Sequence, residues 1–387
     1  MKKKLLFVID SLVCGGAEKS LVSLLPLLNQ DKYEIHLWML HRGKVFESLL
    51  SDNVIIEPEP SYRWIERIQF RTAHYLYSIM FRIKSILGKS EHTAETFWKC
   101  LGNVYKVPSE TYDIAIAYQQ GVPTYMVSKK INAHKKIAWI NADIFAAGYN
   151  TSYNATFYDQ FDVLVPVSKN LESVLREKYP QYSEKYHCVY DILNPDLIKR
   201  QSLMSVDDDI FSYQHPLIVT TGRLAIAKNH RLAVEAAKKL KESGVDFVWL
   251  FVGDGEERPN IESLITTYNL QKNVIIIGER TNPYPYVAQC DVYVQTSSFE
   301  GFGLTIAEAK ILGKPVVSTN FDVVYDQLKH EYNGLIAEMT PESVADNILR
   351  MINDTNLRNR IIENVNREKN TTFMTEVIKV ETLFDAN

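Results

Sequence analysis

Short apolar runs alternating with longer amphipathic segments most tightly constrain what this chain can fold into. A first series of candidate strands is Leu5–Ile9, Ile35–Leu40, Asp113–Tyr118, Lys136–Ile140 and Asp162–Val167. A second is Leu217–Thr221, Phe247–Val252, Asn273–Ile277, Asp291–Gln295 and Pro315–Ser318. Helical patterns such as Ala17–Asn29, Ser168–Tyr179, Asn229–Ser243 and Thr305–Leu312 lie between them. Strands that are apolar almost throughout must be covered on both faces, so the alternation predicts an α/β protein with buried parallel sheets.

The alternation pauses at 194–216, "NPDLIKRQSLMSVDDDIFSYQHP", a polar stretch with prolines near both ends. A length of 387 residues is long for one core, and the pause supplies the division into two. The expected organisation is a Rossmann-like domain over 1–195, a connector over 196–216 and a second Rossmann-like domain over 217–370. A last helix over 371–387 is placed to return to the first domain. Two such halves facing each other across a cleft is the implied architecture.

Composition removes several classes of function. The net charge of −4 gives no basic field for nucleic acid. The four cysteines, Cys14, Cys100, Cys188 and Cys290, are far apart, which disfavours a disulfide framework or a cysteine-rich zinc site. The start, "MKKKLLFVID", has too short an apolar run for a leader peptide and reads as a first strand. No stretch approaches the roughly 20 apolar residues of a membrane span. The expected location is the cytoplasm.

The stretch 61–89, "SYRWIERIQFRTAHYLYSIMFRIKSILGK", stands apart, with six Lys or Arg against one Glu among large apolar residues. As a helix it suits an anionic membrane surface. A helix packed on the core with a solvated basic face is the other reading, and charge asymmetry favours the membrane.

Ligands of open α/β sheets bind beyond the carboxyl ends of the strands, and four loops there can carry chemistry. In "DSLVCGGAEKS", Gly15 and Gly16 precede a helix, either as a tight turn or as a close approach to phosphate. In "TGRLAIAKNH", Arg223 and Lys228 follow Gly222 off a strand, either as surface cations or as a pair for a diphosphate. In "VGDGEE", Asp254 reads as a turn residue between Gly253 and Gly255. In "SSFEGFGLTIAEA", Thr305 and Glu308 have capping-box spacing, whereas Glu300 lies in the loop with no structural role in view. Backbone amides near Gly301 and Gly303 suit phosphate and the carboxylates suit hydroxyls, a combination that matches a nucleotide sugar.

"SSFEGFGLTIAEA", with its E-x7-E spacing, resembles the signature of the retaining GT-B glycosyltransferases of family 4. "TGRLAIAK" is similar to that family's arginine–lysine diphosphate clamp and "CGGAEKS" to its N-terminal glycine loop. The motifs fall in family order from residue 15 to 308. The resemblance implies a metal-independent hexosyltransferase with no cofactor, moving a sugar, most often from a UDP donor, to a hydroxyl of a glycan. It places Glu300 on hydroxyls of the donor sugar, Glu308 on the ribose, and Arg223 and Lys228 on the departing diphosphate. Gly222, Gly301, Phe302, Gly303 and Leu304 line the donor, Gly16 meets its phosphates, and the main chain near Arg280 meets the base. The N-terminal domain is then the acceptor side. Where many relatives carry a histidine, this chain has Asn141, with Asp143 nearby, and an asparagine donates a hydrogen bond but does not act as a base.

The preferred acceptor is a lipid-linked glycan of a cell-surface polysaccharide, reached by a protein peripheral on the cytoplasmic face. Asp207, Asp208 and Asp209 satisfy a D-x-D metal pattern, but they lie in the polar connector, and Arg223 with Lys228 already supplies positive charge. An epimerase of the same fold and a non-catalytic transferase-like subunit at the membrane are the rival readings.

Overall fold

The computed structural model describes residues 2–13, 15–43, 45–59, 63–86, 92–145, 147–206, 215–368 and 372–386. The Asp207–Asp209 pattern lies outside them. Contacts divide the chain into two units, Met1–Ile192 with Glu376–Asn387, and Leu193–Thr375.

Unit 1 is built on strands β1 (Lys3–Ile9), β2 (Tyr33–Met39), β3 (Val54–Ile56), β4 (Thr111–Ala117), β5 (Asn132–Ile140) and β6 (Val163–Pro166). They form a parallel sheet in the order β3-β2-β1-β4-β5-β6. Its helices are α1 (Gly16–Leu24), α2 (Trp64–Ile86), α3 (Thr93–Leu101), α4 (Val122–Lys129), α5 (Thr151–Tyr158) and α6 (Lys169–Lys178). Leu5 to Ile9 are wholly buried, as a strand covered on both faces requires. Val377, Val380 and Phe384 of the C-terminal helix belong to the same core. Phe384 meets Tyr33 edge to face, with ring centroids 5.7 Å apart.

Unit 2 begins with α7 (Pro195–Ser202), at the head of the segment expected to be a connector. Strands β7 (Leu217–Thr221), β8 (Val248–Val252), β9 (Val274–Gly278), β10 (Val292–Gln295), β11 (Val316–Thr319) and β12 (Leu335–Ala337) pair in parallel in the order β12-β11-β10-β7-β8-β9. Helices α8 (His230–Glu242), α9 (Arg258–Thr267), α10 (Tyr284–Gln289), α11 (Leu304–Ile311), α12 (Pro341–Asn353) and α13 (Thr355–Glu368) surround them.

Both sheets start in the middle, run outward, then return to the other side of the first strand. That order reverses between β1 and β4 and again between β7 and β10, and such a reversal opens a ligand crevice at the carboxyl ends. Two edge strands, β3 and β12, were not expected from the sequence, because three residues each are too few to show a period. The first helix stops at Leu24, five residues short of the expected end, because Pro26 draws the chain into a 3-10 turn.

Candidate functional site

In unit 2 the reversal point brings two loops together. The first leaves β7 at Gly222, passes Arg223, turns through a 3-10 segment at Ile226–Lys228 and enters α8. Asn229 takes the left-handed conformation (φ 49°, ψ 46°) and caps the helix by accepting from the Leu232 amide. The Gly253 position, after β8, packs so tightly that a Cβ there would lie 1.9 Å from the Gly222 carbonyl oxygen. A glycine is therefore needed to hold the arginine–lysine loop against β8.

The second loop follows β10. The Ser298 amide donates to the Ala227 carbonyl (2.9 Å) and the Thr296 hydroxyl to the Lys228 carbonyl (3.2 Å), tying it to the first loop. Lys228 Nζ donates to Glu300 Oε1 at 2.5 Å. The same oxygen accepts from Gln295 Nε2 and from the Ser297 hydroxyl, each at 2.6 Å. The Glu300 side chain is 11% exposed and that of Lys228 25%, so a charge pair sits half out of water with neutral donors around it. The expectation that Glu300 has no structural partner fails, because its partners lie up to 72 residues away in sequence. Its second oxygen, Oε2, accepts no hydrogen bond among the described residues.

Gln295 is the hub that sequence reasoning missed. Its Oε1 accepts from the Tyr293 hydroxyl (3.1 Å) and the Thr305 hydroxyl (3.0 Å), while its amide donates to Ser297 and Glu300. A glutamine closing a buried apolar strand was the available signal, since buried amides require partners.

Gly303 in the left-handed region (φ 86°, ψ 49°) ends the loop and forms the N-cap of α11. Gln327 donates from Nε2 to the Phe302 and Gly303 carbonyls, fixing the turn. Leu304 and Thr305 thus open the helix, where N–H groups have no acceptor within it. The capping box expected of Thr305 and Glu308 is absent. The helix begins one residue earlier, so Thr305 lies within the first turn and bonds Gln295. Glu308, 1% exposed, instead accepts from the Tyr284 hydroxyl of α10 at 3.0 Å.

The remaining expected residues are distributed around these loops. Arg223 is 72% exposed, with Nε 3.8 Å from Glu256. Gly301 is half-buried and Phe302 buried. Arg280 follows β9 and donates from Nε to the Tyr286 hydroxyl at 3.1 Å. Asp254 is the turn residue expected, accepting from the Gly255 amide and from Arg258.

Unit 1 carries the others. Gly16 is the first residue of α1, with Gly15 as an extended N-cap. Asn141, after β5, donates from Nδ2 to the Tyr118 carbonyl (2.8 Å), its amide donates to Gln120 Oε1 (3.1 Å), and its Oδ1 is buried with no partner among the described residues. Asp143 Oδ1 accepts from the Phe145 amide in a local turn. Close by, Glu18 and Asp191 are buried carboxyls, each pushed up to about 7 by burial, and each reinforced by a nearby acid. Asp191 is hydrogen-bonded to Ser20, whose hydroxyl lies 3.0 Å from that of Tyr118.

Two parallel six-stranded sheets of this order are the fold seen in GT-B glycosyltransferases. Residues 209–368 match the model of the glycosyl transferases group 1 family. An N-acetylgalactosaminyltransferase of Campylobacter jejuni named for an acceptor on diphospho-undecaprenol is 26% identical over 360 residues, 92% of each chain. An alpha-1,3-galactosyltransferase of Escherichia coli, named for UDP-Gal and alpha-D-GlcNAc-diphosphoundecaprenol, is 31% identical over 38% of this chain and 40% of its own. Among solved structures, Anabaena Alr3699/HepE in complex with UDP-glucose superposes with a TM-score of 0.71 at 17% identity, over 99% of this chain and 100% of that one. The family match lies within unit 2, and the chain shares the GT-B fold of that solved structure.

Proposed function

We propose that the protein moves a sugar from a UDP-sugar to a hydroxyl of a lipid-diphosphate-linked glycan, with retained anomeric configuration and no metal. The observation that carries this is the meeting of Lys228, Glu300 and the α11 N-terminus at the β7/β10 reversal point. Lys228 and the helix amides suit the growing negative charge on the leaving diphosphate, where preorganised charge is worth most. Arg223, on the same loop, adds a fork-shaped cation. Glu300 keeps one carboxylate oxygen for donor hydroxyls. In the step itself the acceptor oxygen bonds to the anomeric carbon as that carbon's bond to the phosphate oxygen breaks. The acceptor proton passes to the departing phosphate.

The acceptor class follows from the Campylobacter and Escherichia relatives and from α2. The described side chains of that helix leave only Ala73 buried, so the core-packed alternative is disfavoured. Trp64, Tyr75, Leu76 and Phe81 are exposed beside Arg67, Arg71 and Arg82. No helix among the described residues is long and apolar enough to cross a membrane. Peripheral attachment to the anionic cytoplasmic face therefore suits α2.

The test is a panel of nucleotide sugars scored by thermal stabilisation. It is followed by transfer to prenyl-diphosphate-linked N-acetylhexosamine with NMR of the new anomeric centre. One UDP-sugar should stabilise the protein and be transferred with retention, undiminished by EDTA. Inversion, or loss of transfer on chelation, would remove those parts of the reading. Replacing Arg67, Arg71 and Arg82 by Glu should weaken binding to phosphatidylglycerol vesicles more than about 100-fold, from about 1 kcal/mol per charge. Unchanged binding would remove the membrane role of α2.

A further inference from the structure

Gln295 closes β10 with its amide almost wholly enclosed, 2% exposed. Such a group has two N–H donors and two acceptor lone pairs, and here all four are used. Its Oε1 accepts from the Tyr293 hydroxyl (3.1 Å) and the Thr305 hydroxyl (3.0 Å). Its Nε2 donates to Ser297 Oγ and to Glu300 Oε1, each at 2.6 Å. We infer that Gln295 is a positioning residue for sugar transfer. It holds Glu300 in register with the α11 N-terminus, and so sets which donor sugar is accepted and how fast it is moved.

The bonds leave the amide one orientation. A carboxylate only accepts, so the group that meets Glu300 must be the NH2. Turned over, the amide would set its carbonyl oxygen against the carboxylate. The Ser297 hydroxyl follows the same order, accepting from Gln295 and donating to Glu300 at 2.6 Å. The Tyr293 hydroxyl lies 3.0 Å from that of Thr221, the last residue of β7. With the Tyr293 proton committed to Gln295, Thr221 is the donor of that pair. One directed chain thus runs from β7 through β10 to the acid.

Lys228 alone would not fix Glu300. A lysine ammonium is a point charge on a flexible stem, and the terminal torsion of a glutamate is broad. The plane of the carboxylate is therefore set by the directed bonds of Gln295 and Ser297, which load Oε1 and leave Oε2 as the open acceptor. Thr305 is the second residue of α11, so the same amide also anchors the turn whose N–H groups suit a diphosphate. Sugar and leaving group are aligned from the two ends of one glutamine. Misplacement of about 1 Å between reacting groups costs on the order of 100-fold in rate. A wholly apolar cluster would pack the end of β10 about as well, so the hydrogen-bonded one points to the acid it orients.

This rests on the transferase reading above, and it names the residue that joins the sugar and phosphate sides of that site. The test uses the full chain with UDP and with UDP-glucose, UDP-galactose, UDP-N-acetylglucosamine and UDP-N-acetylgalactosamine. UDP affinity is read by calorimetry, and kcat and KM by UDP release in the presence of prenyl-diphosphate-linked N-acetylhexosamine. Gln295→Met keeps the length of the side chain and loses the four bonds. It should bind UDP within about twofold of the unaltered chain and lower kcat about tenfold or more. The kcat/KM ratio between the best donor and its C4 epimer should fall about tenfold as well. Tyr293→Phe, which removes one support of Gln295 and keeps the ring, should shift kcat and the epimer ratio the same way by a smaller factor. It decides the matter if Gln295→Met fails to fold. Lowered melting temperature with kcat and epimer ratio unchanged would make Gln295 a packing residue and overturn the inference alone. Turnover of none of the four donors by the unaltered chain, with UDP unbound, would remove the transferase reading and the inference with it.

Discussion

At the carboxyl edge of β7 and β10, Lys228 meets Glu300 inside a shell of neutral donors. At the matching edge of β1 and β4, Glu18 and Asp191 are buried, and no ion pair to either is formed among the described residues. The strand order is the same in both units, so topology does not explain the difference. Unit 2 keeps a close charge pair, Lys228 with Glu300. In unit 1 burial raises Glu18 and Asp191 to about 7, so that each is only partly ionised near neutral pH. One architecture thus supplies two reversal points, and side chains alone give them opposite electrostatic characters.

The sharpest way to break this contrast is to remove a charge from each edge. Lys228→Ala should lower turnover by roughly 100- to 1,000-fold, the scale of a lost oxyanion donor, without loss of folding. Glu18→Gln, which mimics the protonated acid, should alter turnover less than about tenfold. Steady-state rates that fall equally in both variants would erase the distinction.

Next in size is a backbone effect. Gly253→Ala forces a methyl group onto the Gly222 carbonyl and should cost about 2 kcal/mol or more in chemical denaturation. A smaller loss would show that the β7 loop can shift and is less fixed than described.

A third contrast is the pH dependence of stability. Glu18 and Asp191 rise from 4.5 and 3.8 to about 7 on folding, so the folded chain holds protons that the unfolded chain releases. Their contribution is therefore lost as pH climbs from about 4 to 7, by up to about 1.4 kcal/mol per pH unit for each group. His230 of unit 2 acts in the opposite sense. It is 2% exposed, has no hydrogen-bond partner at either ring nitrogen among the described residues, and is pushed down from 6.5 to about 3 by burial, then by Lys228. The unfolded chain takes up that proton first, so stability is lost as pH falls below 6.5. Asp191→Asn should flatten the neutral side of the stability profile, and His230→Phe the acid side, in denaturation curves between pH 4 and 8. Unchanged profiles would mean that neither edge titrates as described.

Period and spacing made much of this protein legible. Ten of the strands follow from apolar runs, because a strand buried on both faces cannot hide its composition. The two loops of unit 2 follow from glycines, cations and acids placed where a strand yields to a helix. The roles inside those loops did not follow. Glu308 has the spacing of a cap but bonds Tyr284, and Glu300 was singled out as partnerless but is held by Lys228, Gln295 and Ser297. Local rules see about one helical turn, whereas the Tyr284–Glu308 and Lys228–Glu300 bonds span 24 and 72 positions.

The sequence by itself determined the sheet-and-helix alternation, the glycines and charges of the two unit 2 loops and the basic apolar helix. Only tertiary structure decided which atoms of those loops are already bound and which remain open. It alone carried Lys228, from the loop after β7, to Glu300, in the loop after β10. The reason is physical: burial and hydrogen-bond satisfaction are properties of neighbours in space, and here those neighbours are brought together by parallel strands that are distant along the chain.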